Sequence, residues 1–215
     1  RSVLEEYLKA QCKTNELIVK NIVNTNELER FSKSDFRWAN DRDKKFNFRV
    51  IKKGEVYQFE FGKNYIPEMS YEHRGLVIGS KQRLLYVLPI FTYLPSKHTD
   101  VYHPVDYPTS KSDLFLLKSS EFSFILHDSV LKLNDIRTVS TKRILYQHKG
   151  RIDTSSETYK KIESLTLQKY FPSFFYDYEQ NKEKLISLAE QVSILKNEND
   201  NLKYEIEKLK AKLPE

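Results

Sequence analysis

A seven-residue repeat of apolar residues near the C-terminus constrains this chain more than any other feature. Positions a and d of four heptads are occupied by two recurring sets: Leu185, Val192, Asn199, Ile206 and Leu213 at a, and Leu188, Leu195, Leu202 and Leu209 at d. Such a seam is buried when helices supercoil around each other, and leucine at d with mostly aliphatic residues at a favours two parallel strands. The lone Asn199 at an a position favours the same register, because two amides pair only when they face each other. We therefore expect residues 173–215 to form a parallel dimeric coiled coil.

Charges beside this seam support the same arrangement. Glu198 and Glu205 stand at g positions, and Lys203 and Lys210 follow five residues later at e positions. In a parallel pair, g of one helix faces the following e of the other, so these residues attract across the interface. An ordinary amphipathic helix packed on the body is the simpler alternative, but it does not require this charge placement.

Composition excludes several classes of protein. The 215 residues include 5 glycines and neither a Walker nor a G-x-G-x-x-G motif, which argues against a phosphate loop or a Rossmann turn. The single cysteine, Cys12, excludes an internal disulfide and a cysteine-based zinc site, and it suits a reducing cytoplasm. No apolar run reaches the length of a membrane span, and no signal peptide is recognisable. We expect a cytoplasmic protein with no metal and no cofactor.

The net charge of +6 lies on the body of the chain. Residues 179–215 hold 7 basic and 8 acidic side chains, so the remaining 29 basic and 22 acidic residues give residues 1–178 a net charge of +7. A basic surface permits a polyanionic partner such as RNA, although many proteins with a similar surplus bind none.

The first 53 residues are predicted to form a helical extension and a connector. Apolar residues within 2–30 recur near the helical period, with an interruption at 24–26. Residues 32–45 are mostly charged, which predicts a connector that Trp38 anchors to the body. Phe46, Phe48 and Val50 alternate with polar residues and predict a short edge strand.

Residues 54–172 are predicted to form a mainly β domain. Strands are expected at 56–61, 74–79, 83–90, 114–118, 123–127 and 130–133, with Pro89 marking an edge or a bulge. Strands this short and closely spaced indicate a small barrel or a strongly curved sheet. The loop at 92–112 is long enough to be functional or disordered, and a helix is expected from about residue 154 to Tyr170.

One strand end concentrates polar groups. Asn134 and Asp135 follow a partly alternating segment, and Arg137 and Thr138 come directly after Ile136. Such a segment places many hydrogen-bond donors and acceptors on one rim. For an isolated strand end, a satisfied surface ion pair is the more common explanation.

Four motifs in this order resemble the MazF/PemK/Kid family of bacterial toxins across residues 54–171. Gly54 to Gly62 resembles the first strand of the family, and the segment from His73 to Ile78 resembles the second strand, which opens with arginine. Ser129 to Ile144 is similar to the Asp-Gln-Ile-Arg-Thr strand of the family, and Gly150-Arg151-Ile152 before a helix is similar to its C-terminal end. Residues 1–53 and the coiled coil lie outside the resemblance.

The resemblance implies an SH3-like barrel that forms a two-fold dimer and cleaves single-stranded RNA without metal. In that chemistry the 2′-hydroxyl of the RNA attacks the adjacent phosphorus and leaves a 2′,3′-cyclic phosphate. The protein aligns the strand and stabilises the charge that develops on the phosphorane. The resemblance also implies a cognate antitoxin that fills the RNA groove.

The site residues follow from the same resemblance. Arg74 is expected to clamp the transition state, since a guanidinium matches phosphate oxygens. Thr92 is expected near the scissile phosphate, but ungapped alignment puts Phe91 there, so Pro89 would have to introduce a bulge. Without the resemblance, Arg74 would be interpreted as a surface arginine paired with Glu72 or Glu68.

Further residues are expected to bind RNA or to support the site. His73 is a candidate acid–base group, and Tyr71 and Tyr93, with Tyr65 and Phe91, are candidates for stacking on unpaired bases or for packing the barrel. Asn134 and Asp135 occupy the Asp-Gln pair of the family, so Asp135 is expected to compensate for the amide. Arg137 and Thr138 match the pattern and are expected to organise the rim. Gly75 replaces the proline that is usual in the family.

Two functional hypotheses follow. The first is a sequence-selective, metal-independent endoribonuclease of the toxin type. The second is a non-catalytic dimeric module that binds nucleic acid or protein. Asn134 in place of a carboxylate and the one-residue displacement of Thr92 favour this second hypothesis. Some toxins of the same fold poison gyrase through a free C-terminal helix end that carries Trp. This function is disfavoured because the chain continues here into the predicted coiled coil.

Overall fold

Seven antiparallel strands form one sheet in the computed structural model, which describes residues 2–22, 24–43 and 50–210. The strands are β1 (Glu55–Glu60), β2 (Glu72–Lys81), β3 (Leu84–Thr92), β4 (Leu114–Leu117), β5 (Ser129–Lys132), β6 (Arg137–Ser140) and β7 (Ile144–Arg151). Their order is β4-β5-β3-β2-β1-β7, and β6 pairs with β3 beside β5. A short 3-10 helix at Thr141–Arg143 separates β6 from β7.

The central strands carry apolar side chains on both faces of the sheet. Val56, Leu76 and Leu88 belong to one buried cluster, whereas their chain neighbours Tyr57 and Val77 belong to a second cluster. Successive side chains of a strand point to opposite faces, so the two clusters cover the two sides of the sheet. This double burial explains why β3 is almost continuously apolar in sequence and why Leu76, Val77 and Ile78 follow one another in β2.

Strand β3 is paired along both edges, and Pro89 lies in its interior. Leu84 to Val87 pair with β6, and Ile90 to Thr92 pair with β5. Pro89 lies at the point where the neighbour changes, so its missing N–H group leaves no gap in either ladder. The β2–β3 register passes through Pro89 without interruption, and its one irregularity falls between Val77 and Gly79. The edge position or bulge predicted at Pro89 is therefore wrong.

Two helices precede the sheet. Helix α1 (Val3–Asn21) begins after the N-cap Ser2, and α2 (Thr25–Asp41) begins after the N-cap Asn24, whose side chain accepts a hydrogen bond from the N–H of Asn26. Helix α2 replaces most of the predicted connector. Trp38 is 64% exposed and therefore does not anchor this segment as predicted.

Two helices follow the sheet. Helix α3 (Glu157–Tyr170) confirms the predicted helix, and α4 (Pro172–Lys210) is one continuous helix along the predicted seam. The described apolar a and d residues of α4 are half-exposed or more in the single chain, from Val192 at 50% to Leu185 at 67%. Leu213 lies outside the described residues, so the last position of the seam stays a prediction.

Several predicted features differ from the structure. The fold is mixed α and β, not mainly β, and no pairing among the described strands joins β7 to β4 or β6. The sheet is therefore not a closed barrel, because the 3-10 helix sends β6 and β7 to different neighbours, β3 and β1. No strand forms at 123–127, and none includes Val50, while Phe46 and Phe48 lie outside the described residues.

The chain divides into two compact units, Arg1–Leu165 and Thr166–Glu215. The three predicted segments, 1–53, 54–172 and 173–215, stay predictions. None of the described helices combines the length and the apolar character that crossing a bilayer requires.

Candidate functional site

An open cavity of about 440 Å³ lies over one face of the sheet, next to Arg74. Arg74 on β2 pairs with Gln58 on β1 and with Ile90 on β3, and Gln58 in turn pairs with Tyr146 on β7. Paired residues of adjacent strands project to the same face. This register therefore aligns the four side chains in one row across the sheet.

The rest of the lining comes from strand ends and from one loop. It consists of Glu72, His73, Phe91, Thr92, Phe124, Leu126, His127 and His148. The cavity therefore combines one cation, one carboxylate and three imidazoles with an apolar wall. These are groups that bind an anion and transfer protons.

Arg74 is a half-buried cation without a carboxylate partner among the described residues. Its Nη2 donates a hydrogen bond to Ser129 Oγ over 3.0 Å. The two predicted alternative partners are engaged elsewhere, since Glu72 pairs with Arg37 and Glu68 pairs with Arg137. Burial lowers the pKa of Arg74, which nevertheless remains charged at neutral pH because an arginine titrates far above it. A partly desolvated guanidinium without a carboxylate partner has the charge and the hydrogen-bond donors that suit an anion.

Two histidines of the cavity favour the neutral form. Burial, and then the positive charge of Arg74, lower the pKa of His148. Burial, followed by Arg30 and Arg74, lowers the pKa of His73. Both imidazoles are therefore unprotonated near pH 7, which is the form that accepts a proton.

Thr92 lines the cavity together with Arg74, and β3 has no bulge at Pro89. Because Arg74 pairs with Ile90, the side chain of Thr92 two residues later projects to the same face of the sheet. Thr92 ends β3, is exposed, and pairs with Ser129, the residue that receives the hydrogen bond from Arg74.

The Asn134–Thr138 rim lies elsewhere and does not line this cavity. Asp135 is buried, accepts a hydrogen bond from the N–H of Met69 over 2.8 Å and forms an ion pair with Arg137. Arg137 also donates to the carbonyl oxygen of Met69. Asn134 donates to Asp113, and exposed Thr138 pairs with Tyr86 near the far end of β3. Asp135 and Arg137 hold the 61–71 loop, and none of the four residues supports the site around Arg74 as predicted.

The predicted stacking residues also lie outside the cavity, apart from Phe91. Tyr71 has a φ of 63° and closes the 61–71 loop through backbone hydrogen bonds with Phe61 and Gly62. Tyr93 stacks on His98 with 6.0 Å between ring centroids. Tyr65 is 90% exposed.

Gly75, which stands where the family has proline, is required by packing. A Cβ atom there would lie 2.3 Å from Val87 Cγ1 and 2.9 Å from Phe59 Cδ2. Both neighbours belong to the buried core, so the backbone of β2 approaches them closely only because this residue has no side chain.

Sequence reasoning missed the contribution of β7 and of the loop before β5. Tyr146, His148 and His127 were not recognised, and neither was Ser129 as the partner of Arg74. A signal for β7 was present in the alternation of Tyr146 and His148 with polar residues after the buried Ile144. Among the described residues, no group of three or more side chains is arranged to hold a metal ion.

Neither a protein-family model nor a curated protein sequence matches this chain.

Proposed function

We propose that the cavity around Arg74 binds a phosphodiester of single-stranded RNA and cleaves it without metal. The observation that carries the proposal is the half-buried guanidinium of Arg74, which has no carboxylate partner among the described residues and faces an open cavity. A phosphate of the RNA backbone supplies the missing negative charge in a geometry that a guanidinium matches with two hydrogen bonds.

The cavity also holds the groups that cleavage by the 2′-hydroxyl needs. RNA provides its own nucleophile, so the protein has to orient the strand, accept one proton and stabilise the phosphorane. An unprotonated imidazole of the cavity supplies the proton acceptor, and Arg74 supplies the charge. Thr92 lies where its hydroxyl can hydrogen-bond a phosphate oxygen.

The wider proposal follows the resemblance to the MazF/PemK/Kid toxins. The sheet would then be a variant of their SH3-like barrel, α4 would form a parallel coiled coil, and a cognate antitoxin would cover the cavity. The exposed a and d side chains of α4 support dimerisation, because a single helix leaves this seam in water. A cytoplasmic location belongs to the same proposal.

Incubation of the full-length protein with a long single-stranded RNA in EDTA tests the proposal. We expect discrete cuts that end in a 2′,3′-cyclic phosphate, and a loss of at least about 10²-fold in rate for Arg74→Ala, as is typical when a transition-state donor is removed. Arg83→Ala is the matched control, because Arg83 is exposed in the turn between β2 and β3. Intact RNA after incubation with the wild-type protein would refute nuclease activity.

A non-catalytic RNA-binding or protein-binding module is the second candidate. It is favoured by the position of Asp135 and Arg137, which hold the loop at Met69 and do not enter the cavity. This candidate predicts RNA binding that Arg74→Ala weakens, without any cleavage. Filter binding carried out beside the cleavage assay separates the two.

A further inference from the structure

A continuous chain of side-chain hydrogen bonds runs from α2 across two strands to β7 and ends in the cavity. Arg37 Nη2 lies 2.7 Å from Glu72 Oε2, and Gln58 Nε2 donates to Glu72 Oε1 over 3.3 Å. The other end of the same amide, Gln58 Oε1, lies 3.0 Å from His148 Nε2. We call these four residues the relay.

The relay determines which nitrogen of His148 carries the proton. A carboxylate only accepts hydrogen bonds, so Gln58 has to present its NH₂ group to Glu72 and its carbonyl oxygen to His148. That oxygen is also only an acceptor, and His148 Nε2 therefore carries the hydrogen. A neutral imidazole has one N–H group, which leaves the lone pair on Nδ1. No described residue hydrogen-bonds this Nδ1 atom.

Arg37 keeps the carboxylate of Glu72 in the relay and away from Arg74. Glu72 and Arg74 are two residues apart on β2 and project to the same face, so a free Glu72 could neutralise Arg74. Arg37 binds one carboxylate oxygen of Glu72, and Arg37 is itself held by the buried Glu60 over 2.9 Å. Helix α2 therefore affects the charge of the cavity through Arg37, although Arg37 itself does not line the cavity.

We propose that His148 is the general base of the cleavage reaction and that Gln58, Glu72 and Arg37 are its positioning residues. The inference rests on the proposed function. His148 Nδ1 takes the proton of the 2′-hydroxyl while the bond from the 2′-oxygen to phosphorus forms. The bond from phosphorus to the 5′-oxygen then breaks, and this oxygen leaves with the electron pair and takes a proton from water. Arg74 stabilises the charge on the phosphorane.

The other histidines of the cavity lack this arrangement. No described residue hydrogen-bonds the ring of His73, and His73 pairs with Phe59 on the opposite face of the sheet. His127 is exposed, and its backbone carbonyl accepts a hydrogen bond from Ser129. Among the described histidines that line the cavity, only His148 has one nitrogen held by a partner that fixes both the tautomer and the ring orientation.

The charges around His148 set the pH dependence. Arg74 faces it from β2, Tyr146 lies beside it on β7 with 5.2 Å between ring centroids, and His127 lines the cavity from the loop before β5. Strand β1 contributes the neutral Gln58, which separates His148 from the carboxylate of Glu72 on β2. Because burial and Arg74 lower the pKa of His148, kcat/KM should rise with pH along an acid limb centred below the ordinary histidine value of about 6.5.

The first part of the test is spectroscopic and does not depend on activity. In ¹H–¹⁵N spectra of the full-length protein, we expect His148 to show a slowly exchanging Nε2–H and an unprotonated Nδ1. Gln58→Leu should abolish the protected Nε2–H signal. Gln147→Leu is the matched control, because the exposed Gln147 pairs with Tyr57 and projects to the opposite face.

The second part is kinetic, with single-stranded RNA as the probe. We expect His148→Gln to reduce cleavage by about 10²-fold or more and to remove the acid limb, and Gln58→Leu to reduce it about tenfold. Thermal unfolding of both variants checks that they fold, and Gln147→Leu should cleave at the wild-type rate.

The outcomes separate the two proposals. A proton on Nδ1 of His148 overturns the relay whether or not the protein cleaves RNA. Wild-type cleavage that Arg74→Ala abolishes and His148→Gln leaves unchanged overturns the role of His148, while the nuclease proposal stands. RNA left intact by the wild-type protein overturns both the nuclease and the general base, while the Nε2–H signal still decides the hydrogen-bond chain.

Discussion

Replacing Arg37 with methionine should loosen the attachment of α2 to the sheet. Arg37 pairs with Glu60 over 2.9 Å and with Glu72 over 2.7 Å. Methionine keeps most of the aliphatic stem and removes only the guanidinium. The variant therefore isolates the charge from the packing.

The expected loss of stability follows from the burial of the two carboxylates. The Glu60 side chain is 9% exposed, and removing the partner of a buried charge costs about 3–5 kcal/mol when nothing else compensates. Glu60 keeps hydrogen bonds from Ser34 Oγ and from the N–H of Gly62, each over 3.0 Å, so about 2 kcal/mol is the better estimate. The Glu72 side chain is 34% exposed and adds about 0.5–1 kcal/mol at most.

Urea and thermal unfolding measure this loss. We expect the free energy of unfolding to fall by about 2–3 kcal/mol and Tm by about 5–10 °C. Arg83→Met is the control, because Arg83 is exposed and the same substitution removes no ion pair among the described residues. Equal unfolding midpoints for the two variants would refute the claim that polar contacts hold α2 on the sheet.

Three further predictions test other parts of the structure. Tyr159→Phe should change the free energy of unfolding by no more than about 1 kcal/mol in urea unfolding, because the buried hydroxyl makes no hydrogen bond of ordinary geometry among the described residues, and Glu163 lies only near enough to add to the effect of burial in raising its pKa; a loss above about 1 kcal/mol would indicate that the hydroxyl donates a hydrogen bond to Glu163. Burial lowers the pKa of His73, so the unfolded state binds a proton at a higher pH than the folded state does. The free energy of unfolding should therefore fall as pH drops below about 6.5. His73→Gln should reduce that fall between about pH 7.5 and 5.5, and an unchanged slope would contradict this explanation. In a Cys12→Ser background, Asn199→Cys at an a position should form an intermolecular disulfide on mild oxidation and Asn197→Cys at an f position should not; equal yields on non-reducing gels would contradict the parallel register.

The sheet was predictable where burial produces a clear hydropathy pattern. Strands β1 to β3 are buried on both faces and were recognised from their apolar and β-branched residues. The part of helix α2 after residue 30 was missed because its buried residue is Ser34 and its contacts with β1 and β2 run through polar side chains such as Arg37. A helix that docks through polar side chains leaves no apolar stripe in the sequence.

The candidate site was predictable only in part, for a related reason. Arg74 and Thr92 lie on recognisable strands, and both line the cavity. His148 and Tyr146 lie on β7, which pairs on one edge and has a single buried residue, Ile144, so its alternation is weak. The prediction that Asp135 and Arg137 support the site around Arg74 was wrong for a different reason. Sequence order does not reveal that β6 pairs with one half of β3 and β5 with the other half.

Pro89 marks the point at which one edge of β3 changes its pairing partner from β6 to β5, while the other edge stays paired with β2. A residue that cannot donate a hydrogen bond separates the ladder to β6 from the ladder to β5. A change of register or length in the β4–β5 segment is therefore not transmitted through backbone pairing to β6. The chain between Tyr93 and Asp128, which forms one wall of the cavity through Phe124 and His127, can thus differ in length without changing which residues pair β6 with β3.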